Sequence, residues 1–392
     1  MKKQIYLDNS ATTKICREAL DKYIEVSENE WGNPSSLHDL GSSAEKIIKA
    51  SKQTILYTIG AKDCDLVFTA SGSEANNLAI LGRAMAKDRY RRGSKIITTM
   101  GEHASVNEPL NYLSSMGFKI AYIATREGEI DFEQLERELT TDVILLTSMM
   151  VNNETGAVYD IPKMAKMLKA KCPDAVMHVD ATQGYMKIPF TKNAIGADLI
   201  TLSSHKIEGP KGVGALVIGK NVIKEKGLRQ IIFGGGQEGG LRSGTENVPG
   251  IAAFATAAKL NHENLVERIN KLEELREHLR KRISSDVGLS EISPTLPTNH
   301  APHILNLTLP DIKSETMLHF LSSKGIYVSS GSACSSNGNS VSSALTAYGR
   351  TEKEADTSIR VSFSHDNTVD DVDMLCDALA EGLSRLSRIK GR

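Results

Sequence analysis

The sequence predicts an α/β protein in which a large domain with a mostly parallel sheet precedes a smaller α+β domain. Three observations lead to this prediction. Short apolar runs alternate with helical periodicity between residues 65 and 220, an amphipathic helical stretch follows residue 250, and residues 303–388 alternate between strand and helix patterns. A chain of 392 residues also exceeds the usual size of one compact domain. We expect a large domain at 14–260 and a small domain made of 1–13 and 261–392.

Seven apolar runs predict buried strands, because both faces of a parallel sheet are covered. They lie at 66–69, 95–98, 119–122, 143–146, 176–179, 199–202 and 215–218. Helices are predicted at 131–139 and 163–170, which are rich in Glu, Lys and Leu and begin near Asp or Pro. Another helix is predicted to begin near Leu78. One long helix is predicted after Gly250, because apolar residues from Leu265 to Ile283 recur at steps of three and four.

Composition excludes several classes of protein. Lys and Arg number 47 against 48 Asp and Glu, and the formal net charge of −1 favours neither a nucleic acid nor an anionic membrane. No apolar run approaches the roughly 18 residues of a spanning helix, and we expect no secretory signal. Five scattered cysteines without a C-x-x-C pair argue against a disulfide framework and a zinc site. We therefore expect a cytoplasmic protein with reduced thiols.

Three segments carry residues suited to chemistry. Residues 70–77 form a turn of small residues before a helix, which suits a phosphate but is more often a plain N-cap. Asp180 ends an apolar strand at the sheet edge where α/β proteins bind ligands, or it caps the next helix. Lys206 follows another strand beside Ser204 and His205, where a desolvated amine is nucleophilic.

Together these three features indicate a site for pyridoxal phosphate. The carboxylate of Asp180 would pair with the pyridine nitrogen, Lys206 would attach the cofactor, and the turn would hold its phosphate. Cys334 lies in a Ser-rich segment that predicts an exposed loop. An exposed thiol indicates reactivity, although an incidental cysteine fits equally well. The other four cysteines are interpreted as structural.

Eight short motifs occur in the same order as in a known family and span nearly the whole chain. They lie at 6–13, 32–36, 102–103, 151–156, 178–183, 204–206, 241–247 and 329–336. The chain thereby resembles the cysteine desulfurases of the class V aminotransferase group. The resemblance points to the group I branch, whose active cysteine lies in a long Ser-rich loop. It implies the pyridoxal-phosphate-dependent transferase fold type I.

The resemblance implies roles for the matching residues. Lys206 would hold the cofactor, Asp180 would face the pyridine nitrogen, and Gln183 would contact the ring hydroxyl. His103 would stack on the ring and serve in proton transfer. The residues that would hold the phosphate are Gly72, Ser73, Ser203 and His205, with Thr245 of the partner subunit of a homodimer. The residues that would hold the substrate carboxylate are Asn33, Asn153 and Arg360.

The implied reaction converts L-cysteine to L-alanine and transfers the sulfur to Cys334 as a persulfide. An acceptor in iron–sulfur cluster assembly or a thiolation pathway, such as a scaffold protein, would then take the sulfur. The resemblance also implies that Cys334 could share a nascent cluster with that partner. The chain itself predicts no metal site, because the pair His300 and His303 lacks a third ligand.

Four residues depart from the family pattern: Glu208, Asn76, where an acid is common, Gly239 and Val341. Three alternatives stay open. The first is a transaminase or lyase of the same fold, including one acting on selenocysteine, in which Cys334 is a bystander. The second is a nucleotide-binding protein, because residues 214–221 imitate a phosphate-binding loop, but Asn221 replaces the required Ser or Thr. The third is a non-catalytic scaffold.

Overall fold

The computed structural model describes residues 3–86, 92–330 and 342–390. The strands are β1 (Ile5–Tyr6), β2 (Asp65–Thr69), β3 (Lys95–Thr99), β4 (Lys119–Ile123), β5 (Val143–Met149), β6 (Val176–Asp180), β7 (Leu199–Ser203), β8 (Gly214–Ile218), β9 (Ser293–Pro294), β10 (Ile304–Thr308), β11 (Ile326–Tyr327), β12 (Ser329–Ser330) and β13 (Ser358–Ser362). The predicted Cys334 lies outside the described residues.

The helices are α1 (Arg17–Asn29), α2 (Asp39–Thr58), α3 (Gly72–Ala84), α4 (Ala104–Ser115), α5 (Phe132–Glu138), α6 (Ile161–Lys171), α7 (Lys192–Ile195), α8 (Lys220–Lys224), α9 (Val248–Glu263), α10 (Leu265–Ser285), α11 (Ser314–Ser323), α12 (Ser343–Tyr348), α13 (Glu352–Asp356) and α14 (Val369–Lys390). Short 3-10 turns lie at Arg126–Gly128, Ser204–Lys206 and Glu238–Gly240. No helix of the described ranges is long and apolar enough to cross a membrane.

A seven-stranded sheet in the order β2-β8-β7-β6-β5-β3-β4 forms the centre of the fold. Strand β8 runs antiparallel to both neighbours, and the other pairs are parallel. Every strand predicted between residues 66 and 218 belongs to this sheet, so that prediction is confirmed. The nucleotide-binding alternative fails here, because Gly214–Ile218 is a buried strand rather than a phosphate-binding loop.

Helix α3 begins at Gly72, and the predicted start near Leu78 was wrong. The Ser71 hydroxyl accepts a hydrogen bond from the backbone N–H of Glu74 (3.1 Å), and the Glu74 carboxylate accepts one from the N–H of Ala70 (2.9 Å). This reciprocal cap starts the helix directly after β2. The prediction placed the start too late because it followed the apolar residues rather than the cap.

The long helix predicted after Gly250 from the apolar residues between Leu265 and Ile283 is α10, and a separate helix, α9, precedes it and meets it at Asn264. Helix α9 packs against α1 and α2, whereas α10 packs mainly against α14. The two stretches have different apolar faces, since α9 is buried nearly all round and α10 along one stripe. The change of packing partner at Asn264 explains the break.

The buried apolar residues form three clusters. Two of them cover the two faces of the seven-stranded sheet. The other joins Ile5 and Leu7 to residues between 272 and 379, which include the antiparallel sheet β12-β13-β10-β9. Strand β1 also pairs with β11. This packing supports assigning residues 1–13 to the small domain, and the domain boundaries themselves stay a prediction.

Candidate active site

A cavity of about 380 Å³ lies at the carboxyl ends of β5, β6 and β7. Of the residues predicted for the site, those that line it are Gly72, Ser73, His103, Asn153, Asp180, Gln183, Ser203, His205, Lys206 and Arg360. The cavity is also lined by residues that had no individual role in the sequence-based prediction, two of which, Ser71 and Asn76, belong to the predicted turn at 70–77: Asp8, Ser10, Ala11, Ser71, Asn76, Ser105, Met149, Val151, Thr182 and Ser329. Parallel sheets place ligand sites at this edge.

The N-terminus of α3 forms one end of the cavity. Ser71 is the N-cap residue, and Gly72 and Ser73 begin the helix, so free N–H groups and the positive end of the helix dipole lie there. A Cβ atom on Gly214 would lie 2.4 Å from the backbone carbon of Ser71. Strand β8 therefore packs directly on the turn and has no room for a side chain. Such a turn suits the phosphate of a cofactor.

Asp180 is buried at the end of β6 and accepts two hydrogen bonds. The Thr182 N–H donates to Oδ1 (2.9 Å), and the Asn76 amide donates from Nδ2 to Oδ2 (2.7 Å). No ion pair with a described residue compensates this carboxylate, which faces the cavity. Because a buried charge is costly without a partner, the site fits a cationic ring nitrogen.

The side chain of Lys206 points toward the N-terminal segment of the chain. Its Nζ donates hydrogen bonds to the backbone carbonyls of Ser10 (2.5 Å) and Ala11 (2.9 Å). The Gln183 amide also donates to the Ser10 carbonyl (2.9 Å) and accepts from His303 Nε2 (3.3 Å). The N-terminal segment thus orients the amine that would attach the cofactor.

Three histidines around the site are poor bases. Burial lowers the pKa of His178 to about 4, although the Asp180 carboxylate opposes the change. Burial together with the charges of Lys206 and Lys211 lowers the pKa of His205 to about 4. Burial also lowers the pKa of His103, opposed by Asp180 and assisted by Lys206. All three imidazoles are therefore neutral at pH 7.

Glu102, next to His103, is a buried carboxyl group with a raised pKa. Burial raises the pKa of Glu102 to about 8, although hydrogen bonds from the Thr99 hydroxyl and the Met149 N–H oppose the change. The group is therefore largely protonated at pH 7. Because it bonds to β3 and β5, it anchors the start of α4 to the sheet rather than facing the cavity.

Arg360 is buried in the middle of β13, where it reaches the cavity from the small sheet. Its Nη2 pairs with Asp8 Oδ1 (2.8 Å), and its Nη1 donates to the Asn153 carbonyl (2.9 Å). Its Nε lacks a hydrogen-bond partner in the part of the chain that the structure describes. The guanidinium group is thus held at the cavity with donor capacity left for a carboxylate.

Two predicted residues lie apart from this cavity. Asn33 and Thr245 line a separate pocket of about 300 Å³ together with Trp31, and one chain alone does not bring them to Lys206. The ends of the segment that holds Cys334 are anchored near the site, since Ser329 lines the cavity and the Ser342 hydroxyl donates to Glu154 (2.5 Å). His300 pairs with Glu273, and no metal-ligand cluster of three or more residues occurs within the described ranges.

Glu208 ties the segment after Lys206 to the small domain. Its carboxylate pairs with Arg268 of α10 (2.9 Å) and with His365 in the loop after β13 (2.9 Å). Burial alone would raise the pKa of Glu208, but the hydrogen bond from His365 and the charges of Lys187 and Arg268 lower it to about 2. Glu208, which departs from the family pattern, therefore forms a buried ion pair that connects the loop after Lys206 to α10.

Comparisons with known proteins agree with this geometry. The family described as Aminotransferase class-V matches residues 5–375. A NifS/IcsS protein homolog from Lactobacillus delbrueckii subsp. bulgaricus is 38% identical over 392 residues, which cover 98% of each chain. A cysteine desulfurase IscS from Dictyoglomus turgidum is 36% identical and covers 99% of this chain and 97% of its own. A solved structure named NifS-like protein has a TM-score of 0.89 and 33% identity, with 97% of this chain and 100% of that chain covered.

Fold and cavity together define an enzyme that uses pyridoxal phosphate. The chain belongs to the class V aminotransferase family. The predicted fold type I architecture and the predicted cofactor are thereby confirmed. The non-catalytic scaffold alternative loses its support, because the lysine, the carboxylate and the helix N-terminus meet at one cavity.

Replacing Gly214 by Ala should displace the turn at Ser71, because the added Cβ meets its backbone at 2.4 Å. We expect a loss of about 1–3 kcal/mol in the free energy of unfolding and weaker cofactor binding. Equilibrium dialysis of pyridoxal phosphate and chemical denaturation measure both effects. Gly288→Ala, outside the cavity, is the control and should keep the cofactor affinity, since its backbone has no positive φ and its Cβ would meet only side-chain atoms, at 3.2 Å or more. Unchanged affinity in Gly214→Ala would contradict this packing.

Replacing Glu208 by Gln should lower the free energy of unfolding at pH 7 by about 3 kcal/mol, because it leaves buried cations without a partner. The folded-state pKa of Glu208 is lower than the ordinary 4.5, so its contribution is present above pH 4.5 and is lost as the pH falls toward 2. The variant should therefore lose less stability over that range, as measured by urea denaturation. Glu277→Gln on the exposed face of α10 should cost about 1 kcal/mol or less. Equal effects of the two substitutions would be inconsistent with a buried ion pair at Glu208.

Proposed function

We propose that this chain converts L-cysteine to L-alanine as a cysteine desulfurase and transfers the sulfur to Cys334 as a persulfide. Relatives that carry the name cysteine desulfurase match nearly the whole chain, which confirms the predicted class of reaction. The observation that carries the proposal is the cavity in which Lys206, Asp180 and Arg360 converge. It offers an amine, a carboxylate and a guanidinium group to a cofactor and an amino acid.

The residues around the cavity have separate roles in cofactor binding and proton transfer. Bound pyridoxal phosphate supplies an electron sink for the negative charge that develops at the substrate Cα. Asp180 would accept a hydrogen bond from the protonated ring nitrogen, and the Ser71–Ser73 turn with Ser203 and His205 would hold the phosphate. Lys206 would attach the cofactor, and its amine would accept the Cα proton of the substrate. The carbonyls of Ser10 and Ala11 hold that amine nearby.

Arg360 would orient the substrate. Its guanidinium group would bind the carboxylate of L-cysteine, assisted by Asn153, whose carbonyl already fixes Nη1. The Asp8 carboxylate limits how far the guanidinium group moves, since it pairs with Nη2. Carboxylate binding at Arg360 would therefore fix one end of the substrate and, with it, the position of the sulfur.

The sulfur transfer needs no external oxidant or reductant. The Cys334 thiolate attacks the substrate sulfur, an S–S bond forms, and the C–S bond breaks. Its electron pair stays with the substrate Cβ, which takes up a proton and becomes the methyl group of alanine. The persulfide sulfur then passes to an acceptor thiol. We propose that this acceptor is a sulfur-carrying or iron–sulfur scaffold protein, as the name IscS of the relatives supports.

We further propose a homodimer in which Thr245 contacts the phosphate in the site of the other subunit. Two exposed aromatic side chains support an interface in this region, since Trp31 is 70% and Phe233 is 66% exposed. Trp31 lines the pocket that also holds Asn33 and Thr245. A cytoplasmic location is also proposed, because the four cysteines in the described ranges are free thiols.

Cys334→Ser should retain the visible absorbance of the bound cofactor but lose alanine and sulfide production, by a factor on the order of 100 or more, because a hydroxyl cannot accept the sulfur. The measurement is an absorbance spectrum followed by an assay of both products from L-cysteine. Cys64→Ser, which changes a half-buried thiol on the loop before β2, is the matched control and should behave as the native chain. Full activity of Cys334→Ser would leave the transaminase or lyase alternative.

Subunit mixing tests the shared site. Lys206→Ala and Thr245→Asp should each be inactive alone, but co-expression forms heterodimers that contain one site with both native residues. Random pairing should then restore about a quarter of the native activity. If Thr245 acts within its own chain, every site carries a substitution and no activity returns. That result, or a fully active monomer in size-exclusion chromatography, would refute the proposed dimer site.

A further inference from the structure

The side chain of Asn76 has no role in the proposed reaction. It lies one turn into α3, is 1% exposed, and its side chain reaches two groups on other elements. The same Nδ2 atom donates to Asp180 Oδ2 (2.7 Å) and to Ser105 Oγ (2.8 Å). Because an ionised carboxylate only accepts hydrogen bonds, the atom that faces Asp180 must be the amide nitrogen rather than the oxygen.

This orientation fixes the direction of the next hydrogen bond. Ser105 Oγ accepts from Asn76, so its own hydrogen is free for His103 Nδ1, which lies 2.8 Å away. The backbone N–H of Ser105 also donates to His103 Nδ1 (3.1 Å). Two donors converge on one ring nitrogen, which therefore carries no hydrogen.

We propose that Asn76 is a positioning residue that connects Asp180 to His103 through Ser105 and holds His103 as the tautomer with its proton on Nε2. The inference rests on the proposed function for the place of His103 beside the cofactor ring. Within the described residues, Nε2 has no hydrogen-bond partner, so it is the ring atom that presents an N–H donor to a bound ligand. The same amide stabilises the carboxylate that faces the ring nitrogen of the cofactor.

The charged groups around His103 agree with this arrangement. Burial and the positive charge of Lys206 lower the pKa of His103, while the Asp180 carboxylate raises it. The neighbouring Glu102 carboxyl is bonded to Thr99 and Met149 and does not compete for the imidazole. Two donors at Nδ1 oppose protonation of that nitrogen, which acts in the same direction as burial.

An acid at position 76 would reverse the direction of the hydrogen bond between residue 76 and Ser105. In Asn76→Asp, the new carboxylate would lie next to Asp180 and accept a hydrogen bond from the Ser105 hydroxyl. Ser105 would then no longer donate its hydroxyl hydrogen to His103. The amide of Asn76 is therefore the feature that sets the direction of the hydrogen bonds in this chain.

The test is nitrogen NMR of the cofactor-loaded protein with ¹⁵N-labelled histidine, with the His103 signals assigned from their loss in His103→Gln. We expect Nδ1 to be unprotonated and Nε2 to be protonated in the native chain. In Asn76→Asp the single tautomer should be lost and His103 should titrate at a higher pH. Asn77, the next residue of α3, donates from its amide to the Ser73 carbonyl and does not contact Asp180 or Ser105, so Asn77→Asp should leave the His103 spectrum unchanged. A proton on Nδ1 of the native chain would overturn the inference.

Ser105 supplies a second pair of variants in case Asn76→Asp does not fold. Ser105→Ala removes one donor to Nδ1, so His103 should titrate at a higher pH, whereas Ser105→Thr keeps the hydroxyl and should restore the native titration. Identical titrations of native chain and Ser105→Ala would also overturn the inference. These spectra do not depend on turnover. A chain that shows the expected tautomer but releases neither alanine nor sulfide would therefore contradict the proposed function alone.

Discussion

A buried carboxylate at the end of β6 is the constraint on which the site depends. Asp180 is compensated by two neutral donors and by no cation of the described residues, so it fits a ligand that brings a positive charge. The neighbouring elements place the other groups that such a ligand needs. Strand β7 ends at Ser203, and the turn after it ends at the lysine that would attach the ligand. Helix α3 supplies both the phosphate turn and the Asn76 amide that bonds to Asp180.

The N-terminal segment and the small domain complete the site through contacts between distant parts of the chain. Backbone carbonyls of Ser10 and Ala11 hold Lys206, and Asp8 holds Arg360. Glu208 connects the loop after Lys206 to α10 and to the loop after β13. Because the N-terminal segment contacts both Lys206 and Arg360, it fixes the position of the amine relative to the guanidinium group.

Much of this arrangement could be predicted from the sequence, because buried parallel strands are continuous apolar runs and their ends carry the reactive residues. Asp180 and Lys206 were found in this way. The pairing of Asp8 with Arg360 was not, since the two residues are 352 positions apart and local patterns do not report such contacts. The carbonyls that bind Lys206 have no side-chain signature at all. The break at Asn264 depended on packing partners, which periodicity within one helix does not reveal.

We propose that this cavity removes sulfur from L-cysteine. The most direct measurement is to load the purified chain with pyridoxal phosphate, add L-cysteine and a reductant, and quantify alanine and sulfide in the same sample. Both products are expected in equal amounts, because one C–S bond is broken for each persulfide formed. A chain that binds the cofactor but yields neither product would rule out desulfuration and indicate a different amino-acid substrate.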